Sequence, residues 1–327
     1  MSKKVVITQP LHKDGVAILE ADDIEVGVSN TGEPEGYLPY IQDADGLIIR
    51  IGYIDRETME KCPNLKVIGR PGVGVDNVDV KAATELGIPV VIAPRANSRS
   101  VAECAFTMMF AAAKDLLRAD KETRKGNFKV RSEYKAYEIG GKTLGLIGYG
   151  NIGSILAQMS AAVGMSIIVY DPFVKAETVE KLGYRYVTDI TPILKEADVI
   201  SLHVPLTDST RNLIAKPQLE MMKKNAIIVN CARGGIINEK DLFDALQNNV
   251  IQAACLDVFE KEPVPSDDPL LSLDNVIAYP HMAGQTKEAA SNVATGAARG
   301  VAAILRGEKW PHVCNPEVYN HPRWTDK

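Results

Sequence analysis

Short apolar runs bounded by turn residues alternate with helical patterns along most of the chain. In the first part the runs occupy residues 5–8, 24–28, 46–49, 67–68 and 90–92. The clearest helical pattern between them covers 77–86, with Gly87 as its stop and Pro89 just beyond. A second series lies at 143–147, 166–170, 199–202, 226–230, 253–258 and 276–278. Strands that alternate with helices pair in parallel, because each crossover returns the chain to the same end of the sheet, and helices then cover both faces. The pattern predicts an α/β protein with two doubly wound parallel sheets, the second matching the six-stranded dinucleotide-binding plan. Residues 100–117, rich in apolar positions, join the two series. Residues 288–305 read as a further helix rich in Ala and Gly, and the chain ends in polar, Pro-containing coil.

Composition enters mainly by exclusion. With 327 residues the chain is too long for one ordinary core, so two domains are expected. A net charge of -5 removes the electrostatic footprint of a general nucleic-acid binder. No apolar run approaches the roughly 20 residues that span a bilayer, which argues against a membrane partner. The opening Met1-Ser2-Lys3-Lys4 leads into a strand and not into a signal peptide. The five cysteines, Cys62, Cys104, Cys231, Cys255 and Cys314, include no C-x-x-C pair. That speaks against a disulfide framework or a metal site and for a reduced cytoplasmic setting.

The strongest local signal is Gly148-Tyr149-Gly150-Asn151-Ile152-Gly153, which directly follows the predicted strand at 143–147 and opens a helical run at 152–163. A lone glycine-rich turn means little. In this context each glycine has a physical reason. The first permits the tight turn, the second lets a pyrophosphate approach the backbone, and the third packs helix on strand. The helix N-terminus would then face phosphates with its N–H groups and positive dipole end. Asp171 ends the next strand, 18 positions after Gly153, where a carboxylate can accept from ribose hydroxyls. No Arg follows within Pro172-Phe173-Val174-Lys175, so NAD is expected over NADP.

Three stretches fall at the carboxyl ends of later strands, where ligands of such sheets bind. They are Asn230-Cys231-Ala232-Arg233-Gly234-Gly235, Leu256-Asp257-Val258-Phe259-Glu260-Lys261-Glu262-Pro263 and Pro280-His281-Met282-Ala283-Gly284. Reduction of a 2-keto acid needs a fixed cation for the carboxylate and a proton donor that works near neutrality. Arg supplies a bidentate fork and His the proton.

With these motifs and Gly69-Arg70-Pro71-Gly72-Val73-Gly74-Val75-Asp76-Asn77-Val78-Asp79, the chain resembles the D-isomer-specific 2-hydroxy acid dehydrogenases, within them the 3-phosphoglycerate and hydroxypyruvate dehydrogenase branch. The resemblance runs from about Asp45 to His281. It implies that Arg233 binds the substrate carboxylate and keto oxygen, that His281 is the acid/base, and that Glu262 pairs with the imidazole. It places Asp257 by the nicotinamide carboxamide and makes His203-Val204-Pro205 a cofactor-lining strand end. Val73, Cys231, Ala232 and Gly284 join that cofactor set, and Val73-Gly74 also form the loop whose N–H groups meet the substrate carboxylate. It further implies a flavodoxin-like substrate domain of residues 1–98 and 288–327, with an NAD-binding Rossmann domain of residues 99–287 inserted in it. Hinges are expected near Asn97-Ser98 and Gln285-Thr286, and an arm at 100–137 would clasp a second copy in a homodimer.

Taken singly, Arg233 reads as a surface cation and Glu262 as a solvated acid; only their joint placement makes them functional. His203 reads as a structural or cofactor-wall residue, and His12, His312 and His321 as solvent-facing. Cys231 has no partner base for a nucleophilic role. Lys121 to Lys125 read as a solvated helical face. Arg50, Arg70 and Arg95 are expected to bind substrate, the resemblance assigning Arg50 and Arg70 to a phosphate. Arg95 and Met282-Ala283-Gly284-Gln285 depart from the branch's usual pattern, and no C-terminal regulatory domain is expected. The expected substrates are therefore 3-phosphoglycerate or hydroxypyruvate/D-glycerate, with glyoxylate or sulfolactate as alternatives. Formate is disfavoured, because formate-oxidising relatives carry Gln where Glu262 stands. A non-enzymatic NAD-sensing corepressor on the same fold is the other class, less favoured for an acidic chain.

Overall fold

The computed structural model describes residues 2–133 and 135–325. Met1, Tyr134 within the expected arm, and the last two residues of the expected 288–327 segment lie outside the described residues. The chain forms two compact units, one running to Asn97 and resuming at Gln285, the other Ser98–Gly284.

The first unit holds five parallel strands, β1 (Lys3–Ile7), β2 (Ile24–Val28), β3 (Gly46–Ile48), β4 (Val67–Gly69) and β5 (Val90–Val91), in the order β2-β1-β3-β4-β5. The order reverses between β1 and β3, as in a flavodoxin-like sheet. Both faces are covered, which is why β1 is an unbroken apolar run. Val6 enters the layer of Tyr37, Ile41, Met59 and Ile68, whereas Val5 and Ile7 enter the opposite layer with Leu19. In that second layer the Lys287–Leu305 helix presents Ala298, Val301, Ala302 and Leu305 at helical spacing.

Three expectations need correction here. The helix expected over 77–86 is confined to Val80–Glu85, with Asp79 accepting from the Ala82 N–H at its start. Residues 77 and 78 are drawn off into a bridge with Ile54, and the Asn77 amide donates to the Gly52 carbonyl. The C-terminal stretch is not coil throughout. It makes a 3-10 turn at Pro316–Asn320 and a helical turn at Pro322–Thr325, because Val318 and Trp324 are buried and the Trp324 indole donates to the Gly87 carbonyl. His12 and His321, expected to face solvent, are half-buried and keep only part of the ring in solvent. Each accepts from a backbone N–H two residues on, at Asp14 and Arg323.

The second unit holds β6 (Thr143–Ile147), β7 (Ser166–Tyr170), β8 (Arg185–Val187), β9 (Val199–Leu202), β10 (Ile227–Asn230), β11 (Ala253–Leu256) and β12 (Val276–Ala278). All pair in parallel, in the order β12-β11-β10-β9-β6-β7-β8. This is the Rossmann order, reversing between β6 and β9, with one strand more than expected. The extra strand, β8, sits at the edge and buries only Val187 of its three residues, so it leaves no apolar run to read. β12 is the other edge and is only partly buried.

Leu144 and Leu146 of β6 face a core shared with Ala105, Met108 and Met109 of the Ser98–Ala113 helix. That helix ends before Asp115, whose left-handed backbone (φ 52°) turns the chain into the Leu116–Arg124 helix. The latter buries none of its residues and carries exposed ion pairs such as Arg124–Asp120 and Lys121–Asp274. Among the described residues no helix is long and apolar enough to cross a membrane.

Candidate active site

β6 and β9 are neighbours whose crossovers leave in opposite directions, and the glycine-rich turn sits where they part. Gly148 adopts φ +100°, and a Cβ there would fall 2.4 Å from the His203 carbonyl oxygen at the end of β9. Only glycine fits both the conformation and the approach. A Cβ on Gly153 would meet the Gly148 oxygen at 2.3 Å, so the helix beginning at Asn151 is pressed onto the strand end. Gly150 is the exception: nothing lies within 4 Å of where its Cβ would be. It caps the Asn151–Ala162 helix and opens onto space at the helix N-terminus. A pyrophosphate fits that space and the N–H groups of Ile152 and its neighbours.

Asp171, nearly buried just past β7, helps build the turn. One of its carboxylate oxygens accepts from the Tyr149 N–H at 2.7 Å and the other from the Phe173 N–H at 2.8 Å. A carboxylate offers about four lone-pair positions, so capacity remains for a ribose diol. His203 is half-buried, its Nε2 2.9 Å from the Ser201 hydroxyl, and loss of solvent around the ring pushes its pKa down to about 4. It is neutral at pH 7 and suits a cofactor wall. Val204 packs 3.2 Å from the Gly148 Cβ position, and the Pro205 carbonyl accepts from the Thr210 hydroxyl. Cys231 is buried with its thiol against the Met108 sulfur at 3.8 Å.

Arg233, Glu262 and His281 follow β10, β11 and β12, three adjacent parallel strands. The Arg233 loop is tied down by Asn230, whose amide donates to the Arg233 carbonyl at 2.8 Å and whose side-chain oxygen accepts from the Ala232 N–H. Glu262 Oε2 lies 2.6 Å from His281 Nδ1, and both side chains are open to solvent. Its other oxygen accepts from the Phe259 N–H at 3.0 Å, which aims the carboxylate. Asp257 is buried, and both its oxygens accept backbone N–H groups, from Met282 at 2.7 Å and Ala283 at 3.0 Å. Burial raises its pKa, and those two bonds oppose the rise. Gly284 closes this stretch.

Within the other unit, Arg50, Arg70 and Arg95 follow the neighbouring strands β3, β4 and β5, so they share one end of that sheet. Arg50 is exposed and donates to the Gln285 side chain at 2.8 Å. Arg70 is half-buried, its N–H bonded to the Val91 carbonyl. Arg95 is exposed with φ +66°. Val73, on the loop after β4 with Gly74, is 47% exposed. Sequence reasoning passed over Asn230 and Glu239. The signal for Asn230 was its place before a loop that carries the cation; Glu239 showed none.

Comparison with known proteins places the chain in a family. Residues 106–283 match the family model described as D-isomer specific 2-hydroxyacid dehydrogenase, NAD binding domain. D-3-phosphoglycerate dehydrogenase of Methanocaldococcus jannaschii is 49% identical over 95% of the chain, which spans 59% of that relative's length. Hydroxypyruvate reductase of Thermotoga maritima is 43% identical over 89% of the chain and 94% of its own. The crystal structure of D-lactate dehydrogenase with NAD+ from Lactobacillus jensenii superposes with a TM-score of 0.80 at 30% identity, covering 95% of this chain and 99% of that one.

Proposed function

The chain belongs to the D-isomer specific 2-hydroxyacid dehydrogenases, and from that premise we propose that it interconverts a small anionic 2-keto acid and its D-2-hydroxy acid by hydride transfer. The observation that carries the proposal is the 2.6 Å pairing of His281 Nδ1 with Glu262, set beside the Arg233 loop at the ends of adjacent strands. NAD, when bound, supplies or accepts the hydride at C2. Gly148, Gly150, Gly153 and Asp171 would hold it.

Each residue has its own part in the reduction. Arg233 takes the substrate carboxylate in a two-point grip and steadies the charge growing on the keto oxygen. His281 has Nδ1 engaged by Glu262, so Nε2 is the nitrogen left to give a proton to that oxygen. As the C2–H bond forms, the carbonyl π pair becomes the O–H bond, and the imidazole is left neutral. In the oxidation direction the neutral ring takes the hydroxyl proton back. Glu262 acts through the ring, fixing its orientation.

For the substrate we propose 3-phosphoglycerate or hydroxypyruvate/D-glycerate, supported by the names of the two relatives above and by Arg50 and Arg70 as cations for a second anionic group. A homodimer is proposed from the exposed Leu116, Leu117 and Phe128, which a second copy would cover. A screen of glyoxylate, hydroxypyruvate and 3-phosphohydroxypyruvate with NADH, read by NADH absorbance, tests the activity. Turnover ranks the substrates; binding of NADH without turnover on any 2-keto acid would replace the enzyme by a cofactor sensor.

A further inference from the structure

Glu239 begins the Glu239–Gln247 helix, with Asn238 as its cap, outside the reactive constellation. It is half-buried, and it makes a reciprocal pair of bonds with Glu260. The Glu260 N–H donates to Glu239 Oε1 at 2.6 Å, and the Glu239 N–H donates to Glu260 Oε1 at 3.1 Å. The same peptide is pressed from another side. A Cβ on Gly234, next to Arg233, would fall 1.9 Å from the Phe259 oxygen and 2.7 Å from the Glu260 nitrogen. One residue further back, the Phe259 N–H aims Glu262 toward His281. The Phe259–Glu260 peptide is therefore a shared support for the loops of Arg233 and Glu262.

We infer that Glu239 is a positioning residue for the reaction: by gripping the Phe259–Glu260 peptide it holds Glu262, and through it His281, in register with Arg233. The inference rests on the catalytic reading of those residues given above. A helix start needs no such arrangement for its own sake. Burial and the neighbouring carboxylates Glu260, Asp268 and Glu262 raise the Glu239 pKa to about 7, a cost to stability that a simple cap at Asn238 does not incur. Arrangements that cost stability yet fix a turn are found where geometry matters to chemistry.

The test compares Glu239→Ala, Glu239→Gln and Glu260→Ala with the wild-type chain, using hydroxypyruvate and NADH. Glu239→Ala should lower kcat at least about tenfold, since displacements of about 1 Å at such groups cost up to about a hundredfold. The hydroxypyruvate KM and the NADH Kd should each change less than about threefold. Glu239→Gln keeps an acceptor for the Glu260 N–H and should restore most of kcat. Glu260→Ala removes one bond of the two, giving a smaller loss and a variant that folds if Glu239→Ala does not. A lower melting temperature with wild-type kcat per folded molecule would overturn the inference, as would a Gln variant no better than Ala. His281→Ala is the control: if it keeps wild-type turnover the catalytic reading itself is wrong, whereas its loss beside silent Glu239 variants removes only the positioning role.

Discussion

The backbone carbonyl of Asp257 accepts the His281 N–H at 2.8 Å while its carboxylate takes the next two N–H groups. His281 is thereby held at φ +52°, a left-handed conformation uncommon for a residue with a side chain. A buried acid on one strand end thus sets the direction of the imidazole on its neighbour.

That imidazole is the proposed proton donor. His281→Ala should lower kcat by about two to four orders of magnitude, the range for loss of a general acid, while NADH binds as before. Stopped-flow turnover beside a fluorescence titration of NADH checks both halves. Unchanged turnover would end the assignment.

Asp171 both braces the glycine-rich turn and lies where a ribose diol would bond. Asp171→Ala should weaken NAD binding more than NADP binding, because a bond to the diol and a repulsion of the 2′-phosphate go together. Loss of the acceptor for the Tyr149 and Phe173 N–H groups should also cost about 1–3 kcal/mol of stability. Titrations of both cofactors, with a urea melt, separate the effects. A cofactor preference identical to wild type would remove the ribose role.

His203 predicts a pH dependence of stability. Its folded pKa is about 4 against an ordinary 6.5, so below pH 6.5 the unfolded chain binds a proton that the folded chain refuses. Stability contributed by neutral His203 is whole above pH 6.5 and drains as pH falls toward 4, by about 3 kcal/mol at most. Urea unfolding of wild type and His203→Asn at pH 7 and pH 5 measures it. The variant should lose less between the two; equal losses would place the effect elsewhere.

Arg50 and Arg70 test the second anion. Either change to Ala should raise KM for 3-phosphohydroxypyruvate about tenfold or more, equivalent to at least about 1.4 kcal/mol, and change glyoxylate much less. Losses equal on both substrates, with a fallen melting temperature, would make the two arginines structural braces.

Alternation of short apolar runs with helical patterns determined the α/β class and eleven of the twelve strands among the described residues, because a parallel strand covered on both faces must be apolar throughout, as β1 is. The glycine-rich turn was legible for a similar reason: at Gly148 no other residue meets the demands of the backbone, so composition and conformation are tied locally. The edge strand β8 was hidden because three residues with one buried side chain make no pattern. The start of the Val80–Glu85 helix was misread because Asn77 and Val78 answer to Ile54 and Gly52, more than twenty residues away, and not to their own helix. The proposed reactive residues were nameable by resemblance, but their supports were not. That Asn230 ties the Arg233 loop, that Asp257 sets the backbone of His281, and that Glu239 grips the peptide before Glu262 depend on hydrogen bonds between strand ends and a helix start that only folding brings together. A carboxylate or amide looks alike in sequence whether it faces water or a neighbour's N–H. The tertiary structure alone decides which.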